Sequence, residues 1–226
     1  MRITKKCCIC DYKFTYDDKV NVSPYVAPHD DGAKYYYNLW HDFVEKCPKC
    51  GYASLDISTT ENKDIVKDEK YLAVANIPQV KTLTDARPNR IADYLYASIY
   101  YDSIGDYLNY AKCMLQASDF VYAEMLYWDE YVMDSSNSLS AIQNKAQYND
   151  FKKFADGLFN KGVEKLEEYV NFHQYDIDST ILLAGTLNTG TKMQAIKGAR
   201  LLTKVKDMKL TSGQSEAVEF LLGQVN

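Results

Sequence analysis

The spacing of apolar and polar positions changes near residue 58. Before it, short β-rich runs such as Lys34-Tyr-Tyr-Tyr-Asn-Leu-Trp40 alternate with turn residues, and Ser23–Gly32 is a turn-rich excursion. After it the period is helical. Ser58-Thr-Thr-Glu61 reads as a capping box, in which side chains at both ends satisfy free N–H groups of a first helical turn. The pattern predicts helices over about 61–76, 86–103, 106–117, 119–133, 138–172, 179–188, 192–206 and 212–224, with Gly157 a candidate break in the longest. Pro78 and Pro88 fall between helical patterns. In 86–103, Ile91, Tyr94, Leu95, Ala97, Ser98 and Tyr101 share one face.

Short links between such helices favour antiparallel neighbours. Gly190-Thr-Lys-Met-Gln-Ala195-Ile196, with Ala199 on the same face, resembles the second helix of a tetratricopeptide repeat. A second copy runs from Tyr94 through Gly105-Asp-Tyr107 to Ala117, although Tyr110 stands where a small residue is usual. The expected fold is mostly α: a small β zinc ribbon over residues 1–58, followed by an array of antiparallel, tetratricopeptide-like helical hairpins over 59–226. On this division the helical part folds without help from the ribbon.

The chemistry lies in the cysteines. Cys7-Cys8-Ile9-Cys10 and Cys47-Pro48-Lys49-Cys50-Gly51 each hold a CxxC turn, which sets two thiolates on one metal while backbone N–H groups point at the sulfurs. A residue that accepts a left-handed backbone closes such a knuckle; Gly51 suits that place, and Asp tolerates it better than most residues, which admits Asp11. Cys7, Cys10, Cys47 and Cys50 are the expected ligands of one structural zinc ion. Iron in a rubredoxin-like site competes, since Trp40 upstream of the second knuckle is a rubredoxin trait, and a dithiol redox motif is the third choice. Cys8 is read as an outward knuckle residue, with replacement of Cys7 as its alternative role.

Together, Lys46-Cys-Pro-Lys-Cys-Gly-Tyr-Ala53, the aromatic run ending in Leu39-Trp40, and an N-terminal CxxC followed by Tyr12 and Phe14 resemble an uncharacterised bacterial "domain of unknown function" family. The resemblance implies a zinc ribbon followed by tetratricopeptide-like helices and carries no activity. It departs from the usual pattern at Cys8 and Asp11, which replace a proline and a glycine.

Charge narrows the partner class. The chain of 226 residues has net charge -5, with 8 basic and 8 acidic residues in 1–60 and 18 and 23 in the remainder. Neither part has the excess of Lys and Arg that binding a nucleic-acid backbone requires. No apolar run approaches a membrane span or a signal-peptide core, so a cytoplasmic protein without a membrane is expected. His29, His41 and His173 belong to no nucleophile motif, and no phosphate-binding glycine loop occurs. Cys113 reads as a small core hydrophobe. The 20 tyrosines cluster in the helices, and Tyr94, Tyr96, Tyr100, Tyr101, Tyr107 and Tyr110 are the candidates for binding a protein or peptide partner from a concave face. The reading is a non-enzymatic zinc-binding scaffold; the alternatives are a rubredoxin-like electron carrier with a helical docking domain and a zinc-ribbon nucleic-acid-associated factor.

Overall fold

The structure, a computed structural model, describes residues 2–17, 44–84, 90–131 and 138–223. The Lys34–Trp40 run, the Ser23–Gly32 excursion, His29, His41 and Pro88 lie outside them. Two antiparallel hairpins come first: β1 (Arg2–Lys6) with β2 (Lys13–Asp17), and β3 (Glu45–Lys46) with β4 (Ala53–Ser54). The first keeps its register along five pairs from Arg2↔Asp17 to Lys6↔Lys13, so that Cys7 emerges directly from its closed end.

Eight α-helices follow among the described residues: α1 (Glu69–Ala73), α2 (Pro78–Thr84), α3 (Arg90–Ser103), α4 (Tyr107–Tyr131), α5 (Ser138–Phe172), α6 (Ile177–Asn188), α7 (Lys192–Lys206) and α8 (Ser212–Gly223). No described helix is long and apolar enough to cross a membrane.

The helix expected over 61–76 is replaced by a turn, two single-turn 3₁₀ segments and the short α1. The reason is local. Asp56 takes both the backbone N–H and the hydroxyl of Ser58 (3.0 and 2.6 Å), so Ser58 cannot cap a helix. The first α-helical cap is instead Asp68, whose carboxylate accepts from the N–H groups of Lys70 and Tyr71. Pro78 opens α2 at its first position, where no amide donor is missed. The helices expected over 106–117 and 119–133 are one, α4, and Gly157 does not break α5. Where a break was expected, buried Ser118 donates to the carbonyl of Ala155 at 2.9 Å and ties α4 to α5.

Within the described residues the chain forms two compact units, residues 2–17 with 44–162, and residues 163–223. The boundary expected at residue 58 is therefore absent. Cys7, Cys47, Tyr52 and Ile57 of the ribbon share one continuous core with Ile65, Tyr71, Val74, Ala97, Tyr100 and Val121 of the helical part. The ribbon is too small to bury these groups alone, and α3 supplies the missing wall: Ile91, Tyr94, Leu95, Ala97, Ser98 and Tyr101 are all buried, as their spacing predicts.

The second unit has its own core around Ile181, Ala184, Leu202, Val205, Val218 and Leu221. Here α6 and α7 form a hairpin whose second helix opens with a complete capping box, Thr191 with Gln194. The small residue of the close approach is Gly198 rather than Ala195 or Ala199, which are half-buried. A β-carbon on Gly198 would stand 2.7 Å from the Ala184 carbonyl oxygen and 2.5 Å from Asn188 Oδ1.

The glycines of α5 and α7 therefore respond in opposite ways to the same change. Gly157→Ala meets nothing within 4 Å and should raise stability by ~0.5–1 kcal/mol through helix propensity. Gly198→Ala drives its methyl into helix backbone and should cost ~1–3 kcal/mol. Thermal unfolding of the two variants gives the signs.

Candidate metal centre

Each hairpin ends in a knuckle, and the two knuckles match atom for atom. The N–H of Asp11 donates to the Cys7 carbonyl (3.0 Å), as Gly51 does to Cys47 (2.9 Å). Cys7 N–H then donates to the Tyr12 carbonyl (2.9 Å), as Cys47 does to Tyr52 (2.8 Å). Closing these turns requires a left-handed residue, which Gly51 supplies at φ 78° and Asp11 at φ 58°. Asp11 thus takes the place of the usual glycine, and its exposed carboxylate pairs with Lys6 at 2.6 Å.

This symmetry brings Cys7, Cys10, Cys47 and Cys50 together, with every sulfur within 4.8 Å of the others. Two cross-knuckle pairs, Cys7–Cys50 and Cys10–Cys47, stand 3.6 Å apart. A tetrahedron of sulfurs about 2.3 Å from a central ion has edges of about 3.8 Å, whereas a disulfide is only about 2.05 Å long. The spacing fits a metal ion and excludes disulfides, and all six cysteines are free thiols. The four can hold a metal ion. Cys8 is outside the tetrad; it is half-buried, and its N–H donates to the Ile57 carbonyl at 3.1 Å.

Burial pushes the Cys7 thiol above its ordinary pKa, against the Cys10 and Ile9 N–H groups that favour the thiolate. At Cys47 burial acts the same way, but the N–H groups of Cys50 and Lys49, with hydrogen bonds from the Cys10 and Cys50 thiols, outweigh it and the pKa falls. Cys50 is raised, by burial first, with only the Tyr52 N–H favouring its anion and its three sulfur neighbours opposing it. Burial thus opposes the anions of Cys7 and Cys50 in the metal-free tetrad. A bound cation overcomes that opposition and deprotonates the thiols outright.

Three tyrosines of the helical part reach the second knuckle and the segment after it. Tyr71 Oη donates to the Gly51 carbonyl and accepts from Ala53 N–H, each at 2.8 Å. Tyr101 Oη accepts from Leu55 N–H (3.0 Å), and Tyr100 Oη from Glu61 N–H (3.2 Å). Burial pushes the Tyr71 and Tyr101 phenols well above the usual range, which keeps them protonated. Glu45 completes the anchoring, accepting from Ile57 N–H (3.2 Å) and pairing with Lys5 (2.5 Å).

The candidate partner-binding tyrosines are not an exposed set. Tyr94, Tyr100 and Tyr101 are 3, 4 and 7% exposed, and Tyr96, Tyr107 and Tyr110 are half-buried. Tyr96 packs on Tyr71 (4.6 Å between centroids) beneath the Lys46 ammonium, and Tyr94 packs on Phe120 (5.5 Å). The phenols of Tyr100 and Tyr101 serve backbone N–H groups of the segment after the second knuckle, which need partners. Tyr71 was not singled out in the sequence, where nothing distinguishes it from the other tyrosines. His173 is exposed at the end of α5, stacked on Tyr169 and far in sequence from the cysteines. Cys113 is buried in the core, as expected.

Comparison with family models, with curated proteins and with solved structures finds no match.

The two cysteines of the Cys7-Cys8 pair should separate cleanly on substitution. Cys8→Ser should retain the metal content of the parent chain, whereas Cys7→Ser should lose most of it, as read by elemental analysis of protein purified under reducing conditions.

Proposed function

We propose that the protein is a non-enzymatic, zinc-stabilised scaffold in which one zinc ion, held by Cys7, Cys10, Cys47 and Cys50, organises the core of the first unit. The observation that carries this is the closed sulfur tetrad, with its 3.6 Å edges inside a continuous core. Four thiolates leave no coordination position for water or substrate, which assigns such a metal to folding rather than to chemistry. Zinc is favoured among the metals that take four thiolates because it has no redox chemistry and no geometric demand beyond the tetrahedron. The rubredoxin trait that favours iron, Trp40, lies outside the described residues. Six cysteines that form no disulfide suit a reducing compartment, which supports the cytoplasm as location.

The partner in this reading is a protein or peptide. Its support is the stacking of helical hairpins, α3 with α4 and α6 with α7, since such stacks build extended surfaces for recognition. Of the candidate tyrosines, Tyr94, Tyr100 and Tyr101 are buried, and half-buried Tyr96, Tyr107 and Tyr110 stay candidates for contact with that partner. Kinship with the uncharacterised bacterial family belongs to the same proposal, and the paired knuckles over residues 7–51 support it.

Purified protein should contain about one zinc per chain and be colourless. Cys47→Ser should abolish binding, since zinc held by such sites contributes ~10–16 kcal/mol that is also local folding free energy. Elemental analysis that finds iron with a red chromophore, or no metal in protein kept reduced throughout, overturns the reading.

A further inference from the structure

The second knuckle must orient three successive peptide groups after Cys50. Gly51 N–H donates to the Cys47 carbonyl at 2.9 Å, and the Tyr52 carbonyl accepts from Cys47 N–H at 2.8 Å, so residues 51 and 52 close the knuckle back onto its first cysteine. The path of residues 51–53 therefore decides how the knuckle closes beside the Cys50 sulfur. Both ends of that path finish on one atom. Tyr71 Oη grips the Gly51 carbonyl on one side of Tyr52 and the Ala53 N–H on the other, each at 2.8 Å.

The phenol is itself placed from outside the ribbon. Tyr71 is 2% exposed, and its backbone is fixed by the Asp68 cap of α1, which accepts from Tyr71 N–H at 3.3 Å. Its ring lies against Tyr96, over which the Lys46 ammonium sits 4.5 Å from the centroid while pairing with Asp93 at 3.1 Å. The short α1, which has too few residues to be stable alone, is held where it delivers one hydroxyl to the knuckle.

We propose that Tyr71 is a positioning residue of the metal centre: its hydroxyl holds the Gly51–Ala53 backbone, and with it the closed knuckle that presents the Cys47 and Cys50 sulfurs, and it strengthens metal binding without touching the ion. The inference rests on the zinc reading above. Groups that orient metal ligands from behind typically change affinity by about 10–100-fold when removed.

The test is a titration of the reduced, metal-free full chain with Co(II), followed by competition with Zn(II). Cobalt reports on four-sulfur sites through thiolate-to-metal charge-transfer bands, which respond to hydrogen bonds at sulfur. Tyr71→Phe keeps the ring and its packing on Tyr96 and removes the hydroxyl alone. It should still bind one cobalt per chain, with affinity about tenfold lower and a shifted charge-transfer band. Tyr101→Phe is the control, since its hydroxyl accepts from Leu55 N–H, beyond the knuckle; it should lower thermal stability and leave cobalt affinity and band position unchanged. The inference is overturned if Tyr71→Phe matches the parent chain in both affinity and spectrum, or if the two variants lose affinity equally. A parent chain that binds neither cobalt nor zinc removes the zinc reading, and this inference with it.

Discussion

Four sulfur atoms from two hairpins, brought to one point, fix the geometry on which the first unit depends. Strands β3 and β4 are two residues each, and a pair that short has no independent stability. What holds it is covalent reach and shape: the knuckle turns of Cys7–Asp11 and Cys47–Gly51 present their sulfurs to each other at 3.6 Å, a distance that serves a shared ion. Without that common point the hairpins, separated by 26 residues of chain between Asp17 and Val44, keep such links as the Lys5–Glu45 pair and the Cys8 N–H to Ile57 carbonyl hydrogen bond.

The helical part leans on the same geometry. Ribbon backbone between Gly51 and Glu61 has too few strand partners for its N–H and carbonyl groups, and the helices bury more phenols than a purely apolar core can satisfy. Each shortage answers the other, because a buried phenol needs a polar partner and a buried peptide group needs one as well. Tyr71, Tyr100 and Tyr101 make this exchange, and Tyr52 adds to it within the same segment, donating to the Thr59 carbonyl at 2.8 Å. Within α3, Tyr100 and Tyr101 thus attach the ribbon-side segment to the helices.

The metal site was legible in the sequence because its spacing is short-range and its chemistry narrow. Even the left-handed conformation of Asp11 followed from its place after the second cysteine. Helices α6, α7 and α8 match their expected ranges nearly to the residue because their apolar periodicity is clean; Thr-x-x-Gln caps at Thr191 and Thr211, which played no part in that expectation, open α7 and α8. The helix expected over 61–76 was misread because Asp56, two residues upstream, competes for Ser58, and a capping motif does not show its competitors. The false boundary at residue 58 has a different origin: periodicity reports the faces of each segment, whereas the shared core depends on contacts over 40 residues apart, such as Tyr101 with Leu55.

Hydrogen exchange of the reduced chain, with and without a strong chelator, tests the central claim most directly. If the metal organises a core common to the ribbon and the helices, amides of α1 and α3 lose protection together with those of the knuckles, while α6, α7 and α8 keep theirs. Protection of α1 and α3 that is unchanged after complete metal removal contradicts the account, because it means that the helices build that core without the sulfur tetrad.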